Sequence, residues 1–333
     1  THTHTHTQRD PQEAIGHTSD VYIEIYTHTH TRTHTRIKRE RERERMSEER
    51  RAFDFLKQAQ KKVKGWSLFG NKYEKAVELF ESAGNLFKVA ENYEQAATAF
   101  LCAADCHRQL KSPHEAASAL VEAAAAYKRF DPKKAVETLV EASNLYIEMG
   151  RVSTAAKFHV EIAEIFEKEL ELDKAVEAFE NAVRYYTNAE QPAWANKARN
   201  SLAHLLAKVG KYRHAIIAFE ELGNSVLDTP SRFSAREYFF KAGLCQFCHA
   251  AAGNQDIQNI RLAIEDYDNK DVTFQDQREY KFLLDLLRAY EDYNLDAFED
   301  AVQEFDNVSR LGDWEMGLLL NVREAISRGP SLT

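Results

Sequence analysis

Residues Pro132–Ala195 read PKKAVETLVEASNLYIEMGRVSTAAKFHVEIAEIFEKELELDKAVEAFENAVRYYTNAEQPAWA. Alanine falls at 135, 155, 175 and 195, one every twenty residues. Leu139 and Phe179 stand four places after two of them. Residues four apart share one face of an α-helix. A small side chain there lets a neighbouring helix come close, and a large one fills the space beside it. The beat runs outward in both directions. Ala76, Ala96 and Ala116 precede the stretch and Ala215 and Ala235 follow it, with every step 20 except the 19 between Ala116 and Ala135. The fourth places are Phe80, Phe100, Leu120, Leu139, His159, Phe179, Arg199, Phe219 and Phe239. Seven of these nine are large and apolar, which is enough to lay one buried stripe along the repeats.

Punctuation lies on the same grid. Pro113, Pro132 and Pro192 each stand three residues before an alanine of the series, and Ser112 and Asp131 precede two of them. Cap followed by proline is a helix start. Gly150 and Gly210 stand five residues before an alanine, where the preceding helix should end. A unit is then one helix of about 14 residues with a short turn, and two units make a hairpin of about 40. The fold is predicted to be all-α: a right-handed, tetratricopeptide-like solenoid of helical hairpins over residues 46–254. Past Ala235 the grid loosens. Arg261–Tyr267, Tyr280–Tyr290 and Ala297–Phe305 remain amphipathic, and Asp313 and Trp314 precede a last apolar helix, Gly317–Ile326. A solenoid needs its final open face covered, so residues 255–333 are expected to form a C-terminal helical cap. At the other end, Glu48–Lys64 reads as one amphipathic helix that stops at Gly65.

The first 45 residues are of another kind. THTHTHT, THTHTRTHTR and RERERER alternate two residues strictly, as translated dinucleotide repeats would, and Met46 follows as an acceptable start. Alternation without apolar content does not offset chain entropy, so residues 1–45 are expected to be disordered. His2, His4 and His6 could offer imidazoles to zinc or nickel, but the repeat origin is the stronger reading and no metal or other cofactor is expected.

Composition removes several function classes. Twelve glycines in 333 residues is about half the usual share, and there are only six prolines. That argues against sandwiches, barrels and glycine-cradled nucleotide sites. The 45-residue segment carries eight basic and seven acidic side chains, leaving the body 36 basic and 46 acidic, a net of −10. Such a chain is a poor polyphosphate binder, and no nucleic-acid partner is expected. Four cysteines without a secretory signal point to reduced thiols in the cytosol. No apolar run approaches the roughly 18 residues needed to span a bilayer, so any meeting with a membrane is peripheral.

Candidate chemistry is sparse. Cys245-Gln246-Phe247-Cys248-His249 spells the pattern of covalent haem attachment or a redox pair. It lies inside an apolar helical stretch, whereas a redox pair wants an exposed thiolate at a helix start. These cysteines, and Cys102 and Cys106 at i,i+4 on an alanine-rich helix, therefore read as core. Carboxylates such as Glu161, Glu164 and Glu167 fall on solvated helix faces, with no sign of the desolvating pocket a general acid needs. An enzyme is not expected. One stretch departs from a plain solenoid: Gly65-Trp66-Ser67-Leu68-Phe69-Gly70 sets three large apolar residues in a turn, with Lys61, Lys62, Lys64 and Lys72 around it. That composition suits shallow insertion into an anionic membrane. It equally suits Trp66 and Phe69 folding back over the first hairpin.

Leu86–Ala97 (LFKVAENYEQAA), Ile147–Lys157 (IEMGRVSTAAK), Ser234–Cys248 (SAREYFFKAGLCQFC) and Val308–Trp314 (VSRLGDW) carry a family likeness. Through them, and in register over residues 49–333, the body resembles the α/β type of soluble NSF attachment protein, the SNAP adaptors of vesicle traffic. The resemblance implies a nonenzymatic adaptor working on the cytosolic face of membranes, for example in ER–Golgi transport. Several copies would coat a SNARE four-helix bundle of syntaxin-like, SNAP-25-like and synaptobrevin-like chains. They would recruit and stimulate the hexameric ATPase NSF, which takes the bundle apart. It implies membrane contact by Trp66, Leu68 and Phe69. It implies SNARE contact by Lys128, Arg129, Arg151, Lys157, Lys197 and Arg236, with Ser201 standing where a further lysine is expected. It implies NSF contact by Glu291, Asp292 and the penultimate Leu332, although Arg288 and Ala250 occupy places where the family can show carboxylates. Without the resemblance, the same repeats would read as a generic tetratricopeptide scaffold or co-chaperone that clamps peptide tails.

Overall fold

The computed structural model describes residues 11–65, 72–253 and 256–329, with side chains from residue 38 onward. Among the described residues every regular element is helical. In chain order these are α1 (Pro11–Lys64), α2 (Lys72–Val89), α3 (Tyr93–Gln109), α4 (Pro113–Tyr127), α5 (Pro132–Glu148), α6 (Val152–Lys168) and α7 (Leu172–Asn188). They continue with α8 (Pro192–Lys208), α9 (Tyr212–Val226), α10 (Ala235–Ala251), α11 (Ile257–Lys270), α12 (Arg278–Glu291), α13 (Leu295–Val308) and α14 (Asp313–Arg328). A single 3-10 turn, Arg232–Ser234, leads into α10. The chain divides into two compact units, Thr1–Ala135 and Val136–Thr333.

In the first unit α1 packs on α2, α2 on α3 and α3 on α4. In the second, α6 packs on α7, α7 on α8, α8 on α9 and α9 on α10. Short turns between touching helices make these pairs antiparallel hairpins. The grid alanines are buried throughout, and so are Phe80, Phe100, Leu120, Leu139, Phe179, Phe219 and Phe239. His159 and Arg199, the two polar residues in that column, are only half-buried. The close approach also uses a place the periodicity did not mark. Gly84 and Gly223 stand eight residues after grid alanines, and each faces the large residue of the next helix. A Cβ on Gly84 would lie 2.7 Å from Phe100 Cζ, and one on Gly223 would lie 2.5 Å from Phe239 Cε1.

The turns share one geometry. Glu91, Lys111, Gly150, Leu170, Glu190 and Gly210 all have φ between 54° and 77°, and each stands five residues before its alanine. The N–H of the following residue then bonds back five places: Asn92 to Phe87 O at 2.9 Å, Glu171 to Phe166 O at 2.9 Å, Lys211 to Leu206 O at 2.8 Å. This is the Schellman closure, which satisfies carbonyls a helix end leaves open. The turn after α4 differs. It has no left-handed residue, and Asp131 N–H bonds only four back, to Tyr127 O at 2.7 Å. This tighter closure accounts for the one step of 19. The prolines begin α4, α5 and α8 as expected. Asp131 accepts from the Lys134 N–H at 3.1 Å, while Ser112 makes no side-chain cap bond.

The N-terminal end departs from the sequence reading. Disorder was expected through residue 45 and a helix from Glu48, yet α1 runs continuously from Pro11. Arg and Glu are both strong helix formers, which favours the helix over RERERER. Arg45 also ties α1 to the C-terminal turn of α2. Its Nε and Nη2 donate to Ala90 O at 3.2 and 3.1 Å, and Nη1 meets Glu91 at 2.9 Å. A cation at a helix C-terminus is electrostatically favoured.

The helices expected as a cap share the second unit with the hairpins before them. α10 packs against α11, α12 and α14 as well as α9. Phe282 and Phe305 stack at 4.4 Å, with Phe240 over Phe305 at 5.6 Å. Tyr267 is fully buried, stacks on Phe239 at 5.1 Å and donates its hydroxyl to Glu220 at 2.7 Å. α14 returns to α8, where Trp314 Nε1 donates to His204 O at 3.2 Å.

Candidate partner-binding site

The basic residues of interest occupy turns and exposed helix faces. Lys128 and Arg129 lie in the turn after α4, both exposed. Arg129 sits over the Tyr93 ring, 5.1 Å from its centroid, which holds the guanidinium beside the start of α3. In the second unit, Arg151 is the N-cap of α6 and is exposed. Lys157 and Lys197 each stand two places after a grid alanine, on α6 and α8, and both point to solvent. One buried cluster, Ala156, Ala182, Tyr186, Ala195 and Ala198, packs α6, α7 and α8 together beneath them. The repeat thus brings Lys157 and Lys197 to equivalent positions on alternate helices. Arg236 is one place out of that register and half-buried. Its Nη1 donates to Gln277 Oε1 at 2.9 Å, so this cation is tied to the segment before α12.

The acidic pair lies at the end of α12. Glu291 closes the helix and meets Arg261 of α11 at 2.5 Å, while Asp292 is the C-cap and exposed. The ion partner of Glu291 was not visible in the sequence, since thirty residues separate the two. Arg288 is exposed and paired with Asp285 at 3.3 Å. Leu332 lies outside the described residues, as do Trp66, Leu68 and Phe69.

The ends of the apolar segment are described. Gly65 N–H bonds to Lys61 O at 3.0 Å and closes α1. Lys72 reaches back to Val63 O at 3.4 Å and lies over the Tyr73 ring at 4.9 Å. Lys61, Lys62 and Lys64 are exposed. Beside these ends opens a cleft of about 510 Å³, lined by Val63, Lys64, Tyr73, Phe80, Cys102 and Cys106 among others. Cys102, expected in the core, is therefore half-buried at a cleft wall, whereas Cys106 is buried. Burial pushes the Cys106 thiol up to about 11, which leaves little thiolate at neutral pH.

The C-x-x-C-H stretch sits within α10. Cys245 and Cys248 are both buried, and burial raises both thiols, Cys248 to about 12. Cys248 Sγ donates to Leu318 O at 3.4 Å, so this thiol helps seat α14. Among the described residues no helix is long and apolar enough to cross a membrane.

A sequence family described as soluble NSF attachment protein, SNAP, matches residues 50–327, nearly the whole helical body. The chain belongs to the soluble NSF attachment protein family. It is 39% identical over 288 residues to the alpha-soluble NSF attachment protein of Mus musculus, covering 84% of this chain and 96% of that one. It is 40% identical to the beta-soluble NSF attachment protein of Bos taurus, covering 84% and 95%. A probable vesicular-fusion protein sec17 homolog of Neurospora crassa is 35% identical, covering 78% and 89%. With the SNAP family come NSF attachment in vesicle fusion and a nonenzymatic, adaptor role. Of the α6 carboxylates expected on solvated faces, Glu164 is exposed while Glu161 and Glu167 are half-buried, and burial raises the Glu167 carboxyl above its ordinary value. One feature of this SNAP was missed in the sequence: Trp194, an exposed aromatic beside Lys197.

Proposed function

We propose that this chain binds assembled SNARE bundles of syntaxin-like, SNAP-25-like and synaptobrevin-like chains through Lys128, Arg129, Arg151, Lys157 and Lys197. Arg236 contributes once it leaves Gln277. The bound adaptor presents its C-terminal end to the NSF hexamer through Asp292, Leu332 and Glu291, the last exchanging Arg261 for a cation of NSF. Trp66, Leu68 and Phe69 touch the membrane, and the protein works peripherally on its cytosolic face. The observation that carries this reading is the family match over residues 50–327, supported by the exposure of Lys128, Arg129, Arg151, Lys157 and Lys197, the last two at equivalent places of the repeat. Electrostatic complementarity lets a local positive stripe act on an acidic bundle although the body as a whole is acidic.

The test is disassembly of a preformed, fluorophore-labelled SNARE complex by NSF and ATP, with and without this chain. Loss of energy transfer that depends on the chain is the expected result. Binding without disassembly would remove the NSF half of the reading. Capture of short carboxylate-ended peptides with no binding of the bundle would favour the peptide clamp.

A further inference from the structure

Trp194 lies in the first turn of α8, one place before grid Ala195, and 52% of it is exposed. On α6 and at the N-cap of α10 the corresponding places hold Thr154 and Ser234, both half-buried. The indole therefore stands out where its repeat neighbours carry small polar groups. Its inner face rests on Tyr186, with ring centroids 6.2 Å apart and planes 22° from parallel. Tyr186 is part of the buried cluster that joins α6, α7 and α8. The ring is thus fixed from beneath and open above, so little side-chain freedom is left to lose on binding. Lys197, three residues on, holds its Nζ 5.5 Å from the Trp194 centroid, and Lys157 occupies the matching exposed place on α6.

We propose that Trp194 is the apolar anchor of the partner-binding face on the second unit, with Lys197 and Lys157 as its charged flank. The inference rests on the bundle-binding reading above. Solvent-facing helices of an acidic bundle present carboxylates around the ends of apolar side chains. An exposed indole with the Lys197 ammonium 5.5 Å from its centroid matches both halves of that surface, whereas lysines alone match one. Energetic centres of interfaces are enriched in Trp, commonly surrounded by contacts that mainly exclude water. Rim lysines set the rate of encounter and its salt dependence. Trp194 therefore governs how long the complex lasts, and the lysines govern how fast it forms.

The experiment uses the full chain and a soluble, assembled SNARE bundle, with association and dissociation rates measured at two salt concentrations. Trp194→Ser should weaken binding about tenfold or more, chiefly by faster dissociation and with an unchanged salt slope. Trp194→Phe should recover most of the loss. Lys197→Ala should slow association and flatten the salt dependence. Thermal unfolding of Trp194→Ser close to that of the unmodified chain separates lost contact from lost fold. Unmodified chain that binds, with Trp194→Ser dissociating at the same rate, overturns the anchor and leaves the adaptor reading standing. Unmodified chain that does not bind the bundle overturns the adaptor reading, and the anchor with it.

Discussion

Glycine does opposite things at two places in this fold, and the same substitution should reveal it. At Gly223 a methyl group would lie 2.5 Å from Phe239 Cε1, and that ring cannot retreat because Tyr267 stacks on it at 5.1 Å and 8°. At Gly317, within α14, a methyl group would meet nothing within 4 Å. Ala is better than Gly in a helix by about 0.5–1 kcal/mol, while overpacking a core loses about 1–3 kcal/mol. Gly223→Ala should therefore lower stability in urea unfolding and Gly317→Ala should raise it by about 0.5–1 kcal/mol. A gain at Gly223 would mean that Phe239 has room. His204 gives a pH prediction. Burial holds its imidazole below the ordinary 6.5; the Asn200 carbonyl, Glu315 and Glu237 pull it up and Lys241 pulls it down. A folded pKa below the unfolded one means that the unfolded chain takes up the proton first. Stability is then full above about 6.5 and falls as pH drops toward the depressed value. His204→Gln should flatten, without abolishing, the loss of thermal stability between pH 7 and pH 5. The flattening is partial because burial also lowers His159 and His249.

The turn is the element that the sequence half disclosed. Gly150 and Gly210 announce a left-handed helix end, but Glu91, Lys111, Leu170 and Glu190 adopt the same φ without glycine, so only the alanine spacing points to them. A left-handed conformation costs an ordinary residue about 1–2 kcal/mol, and glycine returns part of that gain as extra freedom in the unfolded chain. Leu170 is 77% exposed, so its side chain adds little packing. Leu170→Gly should raise the unfolding midpoint, by about 0.5–1 kcal/mol in stability. A decrease would show that Leu170 packs in solution. Periodicity made the helices, prolines and buried column readable because burial imposes it on the text directly. α1 starts earlier than the Glu48 of the sequence reading: strict alternation looks like low complexity, yet over RERERER Arg and Glu favour the helix residue by residue. The proposed contact residues were named only through likeness to a family. Lys157 and Lys197 carry the same letter as any solvated lysine, Trp194 the same letter as a core tryptophan, and the pairing of Glu291 with Arg261 exists only once α11 and α12 have packed.

For the whole molecule, a net charge of −9 and the proposed binding to an acidic bundle set the conditions of encounter. Long-range repulsion and local attraction are both screened by salt, but the local contacts lie well inside the Debye length of about 8–10 Å. Association with the bundle should therefore slow as salt rises despite the unfavourable net charge. Faster association at higher salt would show that the overall field dominates the stripe. The N-terminal extension should matter little. Arg45 and Glu91 are exposed on both sides of their ion pair, and such pairs contribute about 0–1 kcal/mol. Residues 46–333 should match the full chain in disassembly assays and melt within a few degrees of it; a large drop would assign the long α1 a structural role. The shared geometry of the turns has a practical side. Residues 170, 190 and 210 lie twenty apart in sequence, all exposed and all at the same point of the same backbone bend. The native thiols, three buried and one half-buried, compete weakly for a reagent. Reporter groups installed at those bends would form a graduated scale along the second unit, and the load that NSF applies could be read off it one hairpin at a time.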